Sequence, residues 1–221
     1  MNRLIKFFIS TLVLFGLSAG ILHAQKRTIA VMTPFLAQPG TQLMVEAFET
    51  AAKAKSWEVN VIDTSGDVAA LVSRMEDVSL QKVDAIVINV DPSQIKTGLL
   101  AAKDAGIPVF GMDSGNDPLL KANVTSNGYV MAAETATYVV DQLNGQGNVV
   151  MFIFEPYPPV QKRGAIAESI FNNSPDIKIL DKITPSFDKG PLEGSRNAME
   201  AFLNANPEKG SIQAVWAAWD D

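Results

Sequence analysis

Two short apolar runs, 85–90 and 107–112, frame a segment over 93–105 whose apolar residues recur at helical spacing. Short runs rich in Val and Ile read as buried strands, and spacing of three and four reads as a helix. Asp91-Pro92-Ser93 supplies the helix start and Gly106 its stop, with Pro108 just beyond. The stretch is a βαβ unit with parallel strands and a right-handed crossover. The same alternation runs upstream. Residues 27–33 read as a strand, and 41–55 as a helix with Leu43, Met44, Ala47, Phe48 and Ala51 on one face. Residues 57–63 alternate as an edge strand does, with Trp57 as a packing residue. Asp67 caps a helix to about Gln81, whose apolar face is Val68, Leu71, Val72, Met75 and Val78. Strict alternation from Arg27 to Asp113 predicts a doubly wound parallel sheet of the α/β class.

The pattern breaks between Asp113 and Tyr129. Residues 114–118 form a loop, 122–125 a short strand, and Ser126-Asn127-Gly128 a turn. That turn divides two lobes, 25–126 and 127–221. Alternation then resumes: helix 129–143, strand 148–154, helix 160–172, strand 177–183, helix 189–204 and strand 212–217. Residues 155–159 are a stiff loop, because proline fixes its own φ and restricts the residue before it. No helix follows the last strand, although a parallel sheet normally has both faces covered. The second lobe is therefore expected to be incomplete, as a C-terminal truncation would leave it, with lowered stability and an unfinished cleft.

Residues 1–24 bear on location. Arg3 and Lys6 precede an apolar stretch over 7–21, and Leu22-His23-Ala24 forms a small-residue cleavage site before Gln25. This is the pattern of a cleaved secretory signal peptide. Its apolar part is shorter than the roughly 20 residues that span a bilayer. The 221 residues carry a formal net charge of −6. The leader holds two of the 18 basic residues and none of the 24 acidic ones, so the remainder stands at −8. With no basic run, a nucleic-acid surface is excluded.

The absence of cysteine excludes disulfides and thiolate metal sites. The single histidine, His23, lies in the leader, which leaves no imidazole for a Ser-His-Asp or Cys-His centre or a metal site. No Gly-x-Gly-x-x-Gly follows a strand, and no phosphate loop or Gly-x-Ser-x-Gly is present. Gly145-Gln146-Gly147 follows a helix and is its stop. These exclusions favour binding over catalysis, with no cofactor and no metal. In open parallel sheets, ligands bind beyond the carboxyl ends of the strands. That singles out Asn89 and Asp113. Both residue types are also turn formers, so position alone leaves a ligand role and a local backbone role open.

A series of segments, in order over 26–221, resembles the periplasmic sugar-binding proteins of ABC importers, the ribose-binding type. The segments are Ile29-Ala30-Val31, Pro39, Ile88-Asn89, Gly106-Ile107-Pro108-Val109 leading to Asp113, Thr125-Ser126-Asn127, Arg163-Gly164, Phe187-Asp188, and Val215-Trp216-Ala217 leading to Asp220. The resemblance implies two doubly wound parallel-sheet lobes joined by a hinge, the second incomplete, with sugar held between them. Carboxylate, amide and guanidinium groups would bond the hydroxyls while aromatic rings cover C–H surface. By position it implies Asn89, Asp113, Arg163 and Phe187 as ligand contacts.

This chain departs from the family's pattern at several positions. Ser114 stands where the family often has an arginine. The family's first-loop polar residue and paired aromatics fall on Gln38, Gly40 and Thr41, so two stacking rings are missing there. Phe35 and Tyr157 are the candidates to replace them. Trp219-Asp220 replaces a common Asn-Asp and makes Trp219 a candidate stacking platform beside Asp220. These changes argue against ribose itself and leave a small polyhydroxylated ligand in place. The implied role is a monomeric periplasmic receptor that hands a sugar or polyol to an ABC permease in the inner membrane. The alternatives are a same-fold signal receptor for a sensor kinase or chemoreceptor, and a non-functional fragment.

Overall fold

The structure, a computed structural model, describes residues 26–186 and 190–219. The expected leader, Phe187 and Asp220 lie outside the described residues. The chain builds two parallel sheets in succession. The first takes β1 (Thr28–Thr33), α1 (Pro39–Ala54), β2 (Glu58–Asp63), α2 (Val68–Gln81), β3 (Ala85–Ile88), α3 (Lys96–Asp104), β4 (Val109–Met112) and β5 (Leu120–Val124). Its strand order is β2-β1-β3-β4-β5, parallel throughout.

In the middle of this sheet, alternate residues enter opposite cores. Ile29, Val31, Ala85 and Val87 pack beneath α1 with Val45 and Phe48. Ala30, Met32, Ile86 and Ile88 pack on the other face against Leu71 and Met75 of α2 and Leu99 of α3. Both faces are covered there, so β1 and β3 read as unbroken apolar runs. β2 lies at the edge and keeps the predicted alternation, with Trp57 packed beside Val59 and Val61. Over β3, β4 and β5 the α1 face carries an apolar groove of about 1080 Å³, lined by Phe48, Trp57, Phe110, Met112 and Val124 among others.

Local chemistry moves several boundaries. The Asp67 carboxylate accepts from Ala70 N at 2.8 Å, the expected cap of α2. The helix expected over 93–105 opens instead as a 3₁₀ turn, Pro92–Ile95, before α3 begins. Asp91 accepts from Ser93 N at 2.9 Å, and this local bond closes the tighter turn. β4 starts at Val109 because Pro108 has no N–H to give the ladder. β5 pairs in parallel with β4 through a loop that contains no helix.

The second sheet takes α4 (Gly128–Gln142), β6 (Gln146–Phe152), α5 (Pro158–Asn172), β7 (Asp176–Ile183), α6 (Pro191–Ala205) and β8 (Ala214–Ala217). Its order is β7-β6-β8, also parallel. Phe171, Val149, Met151 and Trp216 form its core with Ala132 and Ala136 of α4. Trp216 is a core residue whose Nε1 donates to Thr135 Oγ1 at 3.0 Å. The short segment Thr125-Ser126-Asn127 carries the chain from one sheet to the other.

Candidate ligand-binding site

The carboxyl ends of β1, β4, β5, β6 and β8 converge on one cleft of about 230 Å³ between the two sheets. The first lobe contributes Phe35, Gln38, Gly40, Thr41, Met44, Asp113 and, at the crossing, Ser126. The second contributes Met131, Phe154, Tyr157, Val160, Arg163 and Trp219. Six of the residues singled out from the sequence therefore meet in one place: Phe35, Gln38, Asp113, Tyr157, Arg163 and Trp219.

Asp113 follows β4 directly and has φ of 47°, a left-handed conformation that Asp tolerates better than most residues. Its backbone is pinned by Asp113 N donating to Val124 O at 2.7 Å. Its carboxylate is aimed by Thr125, whose Oγ1 donates to Oδ1 at 2.6 Å. The Tyr157 hydroxyl donates to the Asp113 carbonyl, with Asp113 Oδ2 3.3 Å away as its alternative acceptor. A carboxylate offers about four lone-pair sites, so Asp113 retains acceptor capacity toward the cleft. The Tyr157 phenol is held well above its usual range, first by burial and then by the Asp113 charge.

Asn89 lies beneath the cleft wall, fully buried, and the protein occupies both ends of its amide. Its Oδ1 accepts from Thr33 at 3.1 Å and from Thr41 at 3.4 Å. Its Nδ2 donates to Met112 O at 2.8 Å and to the Tyr157 hydroxyl at 2.9 Å. It ties the ends of β1, β3 and β4 together. Ser114 is also buried, and its hydroxyl donates to the Val90 carbonyl.

Arg163 reaches from α5 to the crossing. Nη2 donates to Ser126 Oγ at 2.9 Å and Nη1 to Ala218 O at 3.1 Å. Its buried Nε has no hydrogen-bond partner among the described residues. A Cβ on Gly128 would stand 3.1 Å from Arg163 Cγ, so the bare start of α4 leaves room for this side chain. Trp219 meets Phe154 edge to face at 5.9 Å, and Phe35 meets Tyr157 in the same manner at 5.7 Å. The combination provides a carboxylate acceptor, amide, hydroxyl and guanidinium donors, and an aromatic and thioether wall. It suits a small ligand with hydroxyls on one side and C–H surface on another.

Sequence reasoning missed Met44, Met131, Phe154 and Val160 as cleft residues. The available signal was position: Phe154 follows β6 closely, and Met131 and Val160 lie in the first turns of helices whose N-termini face the cleft.

The family model described as "Periplasmic binding protein domain" matches residues 29–221. The chain is 29% identical over 201 residues to the ribose import binding protein of Bacillus subtilis (strain 168), covering 88% of this chain and 62% of that protein. It is 28% identical over 184 residues to the xylitol-binding protein of Mycolicibacterium smegmatis, covering 80% of this chain and 50% of that protein. The chain thus spans between half and two thirds of the length of these relatives. A solved ABC transporter solute-binding protein from Agrobacterium vitis, with bound allitol, superposes with a TM-score of 0.82 at 28% identity, covering 89% of this chain and 68% of that one.

Proposed function

The chain belongs to the periplasmic binding protein domain family, and from that premise we propose that it is an exported receptor that binds a neutral sugar or polyol between its lobes and delivers it to an ABC permease. The observation that carries this reading is the cleft itself. The Asp113 carboxylate stands on one wall, and Arg163 with the Trp219–Phe154 ring pair on the other. Asp113 accepts ligand hydroxyls, because an acceptor-only carboxylate bonds hydroxyl donors and repels an anionic ligand. Gln38, just before α1, and Thr41, in its first turn, bond further hydroxyls. Trp219 and Met44 cover C–H surface, and Asn89 supports the wall from behind. Phe187 and Asp220 stay as further ligand contacts on the strength of the resemblance.

The lobes divide at Ser126, and ligand favours the form in which they close over it. The xylitol named for one relative and the allitol bound in one solved structure make alditols the first choices in a ligand panel.

The test is a thermal melt of the protein with pentoses, hexoses and alditols. A ligand that binds only the folded state at a hundred times its Kd adds about 2.7 kcal/mol, a rise of about 5–10 °C for a chain this size. One sugar or polyol should give that rise, and Asp113→Ala should abolish it. A cooperative melt that no member of the panel moves would contradict the proposal.

A further inference from the structure

We propose that Tyr157 is the clasp of this cleft, a second-lobe residue that holds the lobes together by donating to Asp113. Ligand affinity then contains the strength of this bond. The inference rests on the reading of the cleft as a ligand site and adds a closure residue to it.

The sequence prepares the clasp before any tertiary contact forms. Tyr157 stands between Pro156 and Pro158. A residue before proline is confined to extended backbone, and Tyr157 has φ −116° and ψ 108°. Pro158 then opens α5, so the loop enters a rigid helix at once. The side chain is therefore aimed at little conformational cost.

The aim is across the cleft. The phenol donates to the Asp113 carbonyl and accepts from Asn89 Nδ2 at 2.9 Å, both first-lobe partners. Its ring packs edge to face on Phe35 of the same lobe. Two further contacts seat the loop. Gln94 Nε2 donates to Pro156 O at 3.0 Å. Gly115 faces Pro158 so closely that a Cβ there would stand 3.1 Å from Pro158 Cγ and 3.0 Å from Pro92 Cδ. Because the hydroxyl has one proton and gives it to the carbonyl, Asp113 Oδ2 keeps its lone pairs for a ligand hydroxyl. The clasp closes the cleft without spending the carboxylate that the ligand needs.

The chain has no cysteine, so single cysteines report cleanly. Spin labels on Lys103→Cys in α3 and Ser169→Cys in α5, both exposed positions, give the interlobe distance distribution without added sugar. Tyr157→Phe keeps the ring on Phe35 and removes only the hydroxyl. Its closed-to-open ratio should fall about thirtyfold, seen as a longer-distance population, the effect of losing the two buried hydrogen bonds that the hydroxyl makes to the first lobe. Tyr129→Phe, at an exposed tyrosine of the same lobe, should leave the distribution unchanged. Gly115→Ala presses on Pro158 from the opposite wall and should open the cleft with Tyr157 intact, which shows that the label pair reports opening. An unmoved distribution in folded Tyr157→Phe overturns the clasp and leaves the sugar-binding proposal standing. A ligand panel without a thermal shift does the reverse.

Discussion

Asp113 and Asn89 look alike in the sequence, since each is a polar residue ending an apolar strand, yet their surroundings divide them. Asp113 takes a left-handed turn that brings its carboxylate to the cleft, held there by Thr125. Asn89 turns inward because hydroxyls of Thr33 and Thr41 and the carbonyl of Met112 are within reach. Sequence position marks both strand ends; the direction of each side chain depends on partners distant in the chain. Tyr157 was legible as a ring in a stiff loop, and its polar end proves the more informative. Its buried phenol stays protonated in the folded protein while an unfolded tyrosine ionises near pH 10. Stability from this group is complete below that pH and declines as pH rises above it. Tyr157→Phe should therefore lose stability less steeply above about pH 10. A wild-type minus variant difference titration should show no phenolate absorbance at pH about 10, where an ordinary tyrosine is half ionised. An ordinary phenolate midpoint would remove the burial argument.

At the scale of elements, hydrophobic periodicity located the strands and helices, because two-sided burial leaves apolar runs and one-sided burial leaves alternation. Local hydrogen bonds set the ends, as Asp91 shows at the 3₁₀ turn before α3. The pairing of β5 was harder to read, since its residues are largely exposed and no helix precedes it. A glycine explains how that pairing supports the site. A Cβ on Gly111 in β4 would lie 2.5 Å from Asn123 Oδ1 and 2.9 Å from its Cγ. Asn123 in turn accepts from Ser114 N at 3.2 Å and donates to Ser114 O at 2.7 Å, fixing the loop beside Asp113. Gly111→Ala should therefore destabilise the protein by about 1–3 kcal/mol, the usual cost of overpacking. Chemical denaturation measures this, and an unchanged midpoint would show that Asn123 moves aside freely.

For the molecule as a whole, two lobes of alternating strands and helices were visible in the sequence, as was a cleft at the carboxyl ends of their strands. The apolar groove over β3–β5 was not, because it depends on which face α1 covers. Function at this scale is the coupling of closure to occupancy, and the cleft contains its own reporter. Trp219, one of three tryptophans, lines the cleft, while Trp216 is buried in the second core. The most direct measurement is tryptophan fluorescence of the chain titrated with pentoses, hexoses and alditols, in parallel with Asp113→Asn. Asparagine also tolerates the left-handed backbone, so the variant removes charge more than shape. One ligand should give a saturable change at one equivalent, and Asp113→Asn should weaken it about tenfold to a hundredfold, the worth of a hydrogen bond to a charged group. A folded chain that shows no saturable change with any of them, or one that binds equally well without the carboxylate, would contradict the account.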